Sequence, residues 1–382
     1  MFESMGLQYA GPIDGHNVKR VTEALDWARK QNVPTVVHTL TTKGKGYGFS
    51  EQSPEQYHGV STFDHMSGIN GDNGASYSTV FGDELLKIAK DNGSICAITA
   101  SMTTGTGLSE FARHFPGRFF DTGIAEGHAA VMAAGMASQG VTPVFAVYST
   151  FLQRSYDMLI HDIAISGHHV VIAVDRAGLV SGDGETHQGI YDVAFLTSIP
   201  GMTVLCPASY AELRDMLRYA IDDIKGPVAL RYPRGAEGLY KEGGTDNAKL
   251  LVEGSDFTLI SYGETVNTAL EAVSILLSDG ISAEVIKLGC INPLDEKLIA
   301  QSVAKTKNLL VIEECSMQGS IGERIGACLA SSGITLHKCI LLNTGNAFIP
   351  CGEVDDLRRA YGLDAKNVCE TIRRELNIAY KV

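Results

Sequence analysis

The feature that most constrains the fold is an alternation of short apolar runs and helical segments between Tyr77 and about Gly235. Such alternation is typical of a parallel β-sheet with helices on both faces, because parallel strands are joined by crossover helices. It predicts strands at Ile95–Thr99, Pro143–Tyr148, His169–Val174, Thr203–Cys206 and Val228–Tyr232, and helices at Phe81–Lys90, His128–Gln139, Phe151–Ile165 and Tyr210–Ile221. Ligands of such α/β sheets bind at the carboxyl ends of strands, where Tyr148, Arg176 and Arg231 stand.

Two turn-rich stretches divide the chain into three predicted segments, 1–67, 75–240 and 248–382. The stretches are Gly68–Gly74 and Lys241–Asn247, both rich in Gly, Asn, Asp or Lys. The last segment repeats the α/β alternation, with strands predicted at Phe257–Ser261, Ile281–Ile286 and Leu309–Glu313 and helices at Thr265–Leu277, Asp295–Thr306 and Gly319–Ser331. We therefore expect an α/β protein with two successive parallel-sheet domains behind a shorter N-terminal segment.

The N-terminal segment reads as a single α/β unit. It has a predicted turn at Gly11–His16, an amphipathic helix near Val18–Lys30 and a β-rich run at Pro34–Leu40. A parallel strand that is buried on both faces needs neighbours, and no partner strand is evident in this segment. We expect that it does not fold alone.

Composition excludes several classes of function. The net charge of −13 over 382 residues argues against nucleic acid or an anionic membrane as a partner, since both attract basic surfaces. No apolar run approaches the eighteen or so residues of a transmembrane helix, and the first residues lack the pattern of a signal peptide. The eight cysteines are scattered singly, which indicates reduced thiols and a cytoplasmic location.

The most informative motif is the stretch Asp121–His128, which reads Asp-Thr-Gly-Ile-Ala-Glu-Gly-His. Further blocks surround it in a fixed order: Ile98–Met102 and Gly105–Leu108 upstream, then Tyr148–Arg154, Asp175–Gly178, Thr186–Gly189 and Arg231–Gly235 downstream. Several blocks in one order are far more specific than a lone motif. Together they resemble the 1-deoxy-D-xylulose-5-phosphate synthase family, whose members are transketolase-like enzymes, and the resemblance runs from end to end.

The resemblance implies the domain types as well as the fold class. We expect a thiamine-diphosphate pyrimidine-type domain, then a transketolase C-terminal-type α/β domain, with the tail of a diphosphate-binding domain in front. The family holds magnesium and the diphosphate with a Gly-Asp-Gly and a later Asn in that first domain. The one Gly-Asp-Gly of this chain, Gly182–Gly184, has no Asn until Asn247 and reads as a tight turn. We therefore expect no metal ligands here and Mg²⁺ ligands on an N-terminal partner.

Five residues are predicted to contact thiamine diphosphate. A carboxylate that is hydrogen-bonded to N1′ of the aminopyrimidine promotes the imino form of the cofactor, which removes the thiazolium proton. Glu126 is assigned this role. The alternative is that Glu126 simply favours the first turn of its helix. An aromatic face is needed beside the pyrimidine, and the resemblance assigns Phe151, with Phe115, Phe119 and Phe120 as competitors. The remaining predicted contacts are Ile124, Met102 and Lys43, although Lys43 also fits an ordinary charged loop.

The resemblance also assigns the substrate residues. Arg176 and Arg234 are predicted to bind the acceptor phosphate, since arginine forms paired hydrogen bonds to phosphate. Of the two arginines in its block, Arg231 is the less expected phosphate ligand. It is expected to support the edge of the sheet instead. The family places Tyr148 and Arg154 near the substrate, and it lines the reacting centre with histidines that match His58 and His187. Asp183 is predicted to orient such a histidine.

The function that the resemblance implies is the condensation of pyruvate with glyceraldehyde 3-phosphate to 1-deoxy-D-xylulose 5-phosphate, with release of CO2. On this hypothesis the chain is the C-terminal subunit of a split enzyme, needs an N-terminal diphosphate-binding subunit, and forms a homodimer or heterotetramer. Two alternatives stay open: a non-catalytic or regulatory remnant, and the C-terminal subunit of another transketolase-type enzyme.

Overall fold

The computed structural model describes residues 1–54, 56–58, 60, 62–69 and 74–376. It divides the chain into two units, Met1–Asn73 and Gly74–Val382. The predicted second and third segments both lie in the second unit. The three-segment division itself stays a prediction.

The first unit contains a two-stranded parallel sheet. Its elements are a short 3₁₀ turn at Glu3–Met5, strand β1 (Gln8–Asp14), helix α1 (Val18–Arg29), strand β2 (Thr35–Leu40) and helix α2 (Gly48–Gln52). Strand β1 pairs with β2, so the predicted turn at Gly11–His16 and the unpartnered strand were both wrong. The register shifts between Ala10 and Ile13, and Gly11 adopts a φ of 150° there. A Gly-Pro pair that is typical of a turn thus forms a bulge within a strand.

A seven-stranded sheet forms the first half of the second unit. Its strands are β3 (Ile95–Thr99), β4 (Phe119–Asp121), β5 (Thr142–Tyr148), β6 (Val171–Asp175), β7 (Thr203–Leu205) and β8 (Val228–Arg231), joined by a strand from later in the chain. The helices are α3 (Tyr77–Asp91), α4 (Ser109–His114), α5 (Glu126–Ala137), α6 (Ser149–Leu152), α7 (Tyr156–Met158), α8 (Asp192–Thr197) and α9 (Tyr210–Asp222). The pairings among β3 to β8 are all parallel, as the alternation predicted.

The predicted helix Phe151–Ile165 is a broken helical run. Helix α6 continues into a 3₁₀ turn at Gln153–Ser155, helix α7 follows, and a π-helix spans Leu159–Ala164. Apolar spacing identifies a helical segment but does not separate i→i+3, i→i+4 and i→i+5 hydrogen bonding. Single π-helical turns occur frequently at functional sites, and this run carries Phe151 and Arg154.

A five-stranded sheet forms the rest of the second unit. The elements of this part of the chain are β9 (Ala248–Val252), β10 (Phe257–Tyr262), α10 (Thr265–Ser278), β11 (Ala283–Leu288), β12 (Cys290–Asn292), α11 (Glu296–Thr306), β13 (Asn308–Ile312), α12 (Ile321–Ser331), β14 (Lys338–Leu342), α13 (Val354–Ala360) and α14 (Ala365–Glu375). Strand β12 belongs to the seven-stranded sheet and not to this one. The strand order is β14-β13-β10-β11-β9, and only β9 runs antiparallel. The predicted α/β class with parallel sheets is confirmed.

Strand β12 connects the two sheets. It follows β11 of the five-stranded sheet in the chain and pairs antiparallel with β7 at the edge of the seven-stranded sheet. One apolar core runs across both sheets and includes Ile98 and Phe145 from the first and Ile260 and Leu309 from the second. A buried ion pair between Lys287 on β11 and Glu212 on α9 crosses the same boundary. The two sheets are therefore held in a fixed relation.

Candidate functional site

The carboxyl ends of the central strands bring the predicted substrate residues together. Tyr148 ends β5 and Asp175 ends β6, where the two are register partners. Arg176 follows directly, with a φ of +57° that turns the chain out of the sheet. The Arg176 guanidinium carbon lies 3.8 Å from the centre of the Tyr148 ring, which is a close cation–π contact. This edge of the sheet is where ligands of α/β proteins bind.

Two guanidinium groups converge on a single carboxylate oxygen. Arg176 Nη1 lies 3.3 Å and Arg234 Nη1 lies 3.1 Å from Asp183 Oδ2. Arg234 also donates to the backbone carbonyl of Ser181 at 3.0 Å. These contacts differ from the expectation that Asp183 orients a histidine. Arginines that surround one carboxylate oxygen are well placed to hold a phosphate oxygen.

Hydrogen bonds fix the base of the loop that carries Asp183, and two glycines form its tip. Gly178 and Gly189 exchange two backbone hydrogen bonds, at 2.7 and 2.8 Å, and the Gln188 side chain bonds to both backbone groups of Val180. At the tip, Gly182 and Gly184 adopt φ values of 85° and 76°, which are strained for other residues. The base thus fixes the loop while its tip presents Asp183 to the arginines.

Glu126 is the first residue of α5, and its side chain is only 4% exposed. Arg154 Nη1 donates to it, at 3.1 Å from Oε1 and 3.3 Å from Oε2. The same guanidinium lies 5.5 Å from the centre of the Phe151 ring. Arg154 therefore links the buried carboxylate to the aromatic face, and the three side chains that were predicted separately form one group.

His187 completes this side of the site. Its ring packs edge-on to Phe151 with centroids 5.3 Å apart, and Phe151 in turn stacks on Tyr148 at 6.0 Å. The His187 Nδ1 atom shares a hydrogen bond with the Thr186 hydroxyl at 2.9 Å. A continuous row of rings thus connects the region of Glu126 with the arginines.

A cavity of about 420 Å³ opens beside this group. Its walls comprise Thr150, Phe151, Gln153, Arg154, Glu185, Thr186, Tyr191 and Phe348. Phe348 comes from the loop after β14 and is 74% exposed. A lone Phe in a loop gave no sequence signal that it lines the cavity.

Asp121 was not predicted as a functional residue, yet it organises the two loops that carry predicted cofactor contacts. Its carboxylate accepts from the backbone N–H groups of Ser101 and Gly123 at 2.8 and 2.9 Å, and from the Thr103 hydroxyl at 2.9 Å. Met102 lies in the first loop, and Ile124, which is 78% exposed, lies in the second. The Met102 sulfur accepts from the Tyr148 backbone N–H at 3.5 Å.

Asp175 was also missed as a site residue. Its side chain is fully buried, and burial raises the pKa of its carboxyl to about 7, against opposing contributions from Ser78, Arg176 and Arg234. Burial likewise raises the pKa of the neighbouring Tyr148 phenol. An Asp at the end of an apolar strand reads as a turn residue, so the sequence pattern did not reveal a buried acid.

The remaining predicted residues fall outside this group or support it. Arg231 is buried and donates from Nε to Asp192 Oδ2 at 2.7 Å, which fits a support for the sheet edge. Lys43 and His58 belong to the first unit, where both are exposed, and their roles stay predictions. Within the described ranges, no cluster of three or more His, Cys, Asp or Glu residues could hold a metal ion. In the same ranges, no helix is both long and apolar enough to cross a membrane.

Three family models match the chain in succession. They describe 1-deoxy-D-xylulose-5-phosphate synthase over residues 1–41, the transketolase pyrimidine binding domain over residues 73–238 and the transketolase C-terminal domain over residues 246–368. The sequence is 43% identical to 1-deoxy-D-xylulose-5-phosphate synthase 1 of Geobacter sulfurreducens over 96% of this chain. The chain belongs to the 1-deoxy-D-xylulose-5-phosphate synthase family.

Other members of the family match equally far along the chain. The synthase of Clostridium kluyveri is 42% identical over 99% of this chain, which covers 61% of that relative. In the Geobacter protein the share covered is 59%, so the chain spans about three fifths of the length of these relatives.

Two solved structures share the fold. A structure titled as a split gene transketolase in an inactive β4 tetramer matches 80% of this chain and 100% of its own, with a TM-score of 0.68 and 28% identity. The transketolase of Campylobacter jejuni matches 98% of this chain and 68% of its own, with a TM-score of 0.66 and 18% identity. The predicted order of a pyrimidine-type domain before a transketolase C-terminal-type domain is confirmed.

Proposed function

We propose that this chain is the C-terminal subunit of a split 1-deoxy-D-xylulose-5-phosphate synthase. The assembly would condense pyruvate with glyceraldehyde 3-phosphate and release CO2. The observation that carries the proposal is the shared site of two groups, Glu126 with Arg154 and Phe151, and Arg176 with Arg234. The first group suits a cofactor and the second suits a phosphorylated acceptor.

The residues present fit the aminopyrimidine half of thiamine diphosphate. Glu126 offers a buried carboxylate as an acceptor for a proton at N1′, and Phe151 offers an aromatic face beside it. When bound there, thiamine diphosphate would supply a nucleophilic carbon for chemistry at the pyruvate carbonyl. Met102 and Ile124 would border the pyrimidine ring. They lie in the two loops whose backbone N–H groups donate to Asp121.

The acceptor phosphate is assigned to Arg176 and Arg234. Both guanidiniums already lie within 3.3 Å of one carboxylate oxygen of Asp183, which marks the place where an anionic oxygen is favoured. A phosphate in that place would receive charge-assisted hydrogen bonds from both arginines. Tyr148 and His187 lie between the arginines and the cofactor group, where His187 would exchange protons with carbonyl oxygens of the substrates.

An N-terminal subunit is proposed to hold Mg²⁺ and the diphosphate. The proposal is supported by the likeness of this chain to a split gene transketolase. Lys43 and His58 lie in the first unit, and the roles proposed for them are cofactor binding for Lys43 and catalysis for His58. The assembly would be a homodimer or a heterotetramer.

Purification of the chain from its source cells tests the proposal. We expect a second polypeptide with a Gly-Asp-Gly and a later Asn to co-purify, and the pair to form deoxyxylulose phosphate from pyruvate and glyceraldehyde 3-phosphate. Activity with a ketose phosphate donor but not with pyruvate would identify a transketolase subunit instead. Absence of activity with either donor, despite bound cofactor, would favour a regulatory remnant.

A further inference from the structure

A buried acid, Asp175, ends β6 and interacts electrostatically with both arginines, Arg176 and Arg234. The Asp175 side chain has no exposed surface, and neither of its oxygens has a hydrogen-bond partner of acceptable geometry. Burial is the largest influence on the pKa of this carboxyl and raises it, against lowering contributions from the Ser78 side chain on α3 and the Arg176 backbone N–H. A buried carboxylate without partners is costly, so this environment favours the neutral acid.

The charged and titratable groups around Asp175 come from each neighbouring element. Tyr148 stands beside it at the end of β5, and Arg176 follows it in the chain. Tyr232 and Arg234 come after β8, and the Tyr232 hydroxyl is also buried without a hydrogen-bond partner. Burial raises the pKa values of both phenols, so they stay neutral. The positive charges that act on Asp175 are therefore those of Arg176 and Arg234.

The same two charges would bind the acceptor phosphate. A phosphate monoester is a dianion above its second pKa, which is about 6. Whether it replaces the Asp183 carboxylate or joins it, the phosphate adds negative charge beside Asp175. The arginines then stabilise the ionised form of Asp175 less, which favours protonation. Phosphate binding and protonation of Asp175 are consequently linked, and each promotes the other.

We propose that Asp175 is a positioning residue for the phosphate-binding arginines, and that its carboxyl takes up a proton from solvent when a phosphate occupies the Arg176–Arg234 pair. The proposal rests on the acceptor site of the proposed function. When it is neutral, Asp175 leaves both guanidiniums free to turn toward the ligand. When it is ionised, it competes with the ligand for the same positive charge. The site would thus favour phosphate binding at neutral pH over alkaline pH.

Calorimetry measures the proton directly. The full chain, purified from its source cells with any subunits that accompany it, is titrated with glycerol 3-phosphate at pH 8 in buffers of different ionisation enthalpy. At this pH the ligand is already a dianion, so uptake reports on the protein. We expect close to one proton to be taken up per phosphate bound, and none with Asp175→Asn. Glycerol, which lacks the phosphate, should give no binding heat.

The pH dependence gives a second readout. The dissociation constant of wild type for glycerol 3-phosphate should rise by nearly tenfold per pH unit around pH 8, because the slope of its logarithm against pH equals the number of protons taken up, here about one. It should be nearly flat for Asp175→Asn. In the active assembly the KM for the acceptor should follow the same pattern, while kcat for saturated enzyme changes little. A residue that only supports the fold would not separate KM from kcat in this way.

Each outcome decides the proposal. Absence of proton uptake by wild type overturns it without any variant, so a poorly folding Asp175→Asn does not remove the test. Uptake that persists in Asp175→Asn places the proton elsewhere, on Asp183 for example, and also overturns it. Proton-linked phosphate binding without deoxyxylulose phosphate formation would refute the proposed function alone. Product formation without proton uptake would refute only the role of Asp175.

Discussion

Arg154 Nη1 lies 3.1 Å from Glu126 Oε1 and 3.3 Å from Glu126 Oε2, and it joins a carboxylate that is only 4% exposed to a guanidinium that is 56% exposed. The pair gives the carboxylate a partner in the absence of ligand. The same guanidinium lies 5.5 Å from the centre of the Phe151 ring. A carboxylate with this setting suits the proposed contact to N1′ of the cofactor.

Glu126→Gln is predicted to remove most activity of the complete assembly and to preserve the fold. The Gln carbonyl can still accept from Arg154, but an amide does not stabilise a protonated N1′. A general acid–base group contributes roughly 10² to 10⁴-fold to the rate. The rate of deoxyxylulose phosphate formation and the midpoint of thermal unfolding, Tm, are measured together. A variant within a factor of three of wild type would show that another group activates the cofactor.

Arg234→Ala is predicted to raise the KM for glyceraldehyde 3-phosphate by tens-fold or more. Loss of one arm of a charge-assisted contact costs on the order of 2 to 5 kcal/mol. The KM for pyruvate should change little, and an unphosphorylated aldehyde should be affected much less.

Arg218→Ala is the matched control, because it removes an arginine whose ion pair is with Glu84 on α3. Its KM for the acceptor should equal that of wild type. Equal losses with phosphorylated and unphosphorylated acceptors in Arg234→Ala would make Arg234 a structural residue.

Asp175→Asn is predicted to stabilise the protein at pH 8 and not at pH 4. The pKa of Asp175 is about 7 in the folded state, above the value near 3.9 of an unfolded chain. The folded state therefore holds an extra proton between these values, and its stability falls as pH rises from about 4 to 7. Above pH 7 the penalty is constant, on the order of a few kcal/mol.

Chemical unfolding at pH 4, 6 and 8 measures the difference between wild type and Asp175→Asn. The gap in unfolding free energy should be small at pH 4 and should widen up to pH 8. A gap that is independent of pH would mean that the carboxyl is not buried as a neutral acid.

Lys287→Met is predicted to destabilise the protein by about 3 to 5 kcal/mol, because it leaves Glu212 buried without its cation. The double variant Lys287→Met with Glu212→Leu should recover part of the loss. Denaturant unfolding of the three proteins gives the coupling energy. Additive losses would show that the pair does not hold the two sheets together.

The sequence predicted the strands and the residues at their ends because burial on both faces leaves continuous apolar runs. Strand β5 was predicted from Pro143 to Tyr148 and extends from Thr142 to Tyr148. The position of Arg176 after β6 was predicted in the same way. Strand β12 was missed, since its three residues are defined only by pairing with β7.

Contacts that depend on loop conformation were beyond prediction. The arginines meet Asp183 because Gly182 and Gly184 adopt positive φ values, and the sequence does not specify where such a loop then points. Phe348 lines the cavity only through the packing of the last domain. The individual residues were identifiable by resemblance, but not which of them would be partners.

The most direct test of the proposed split synthase is a measurement of deoxyxylulose phosphate formation by the purified chain alone and with its co-purified subunit. Both reactions contain pyruvate, glyceraldehyde 3-phosphate, thiamine diphosphate and Mg²⁺, and the Glu126→Gln chain is assayed in parallel. We predict product only from the combined subunits that carry Glu126, and no tight cofactor binding by the chain alone in calorimetry. Micromolar cofactor binding and product formation by the chain alone would contradict the split enzyme.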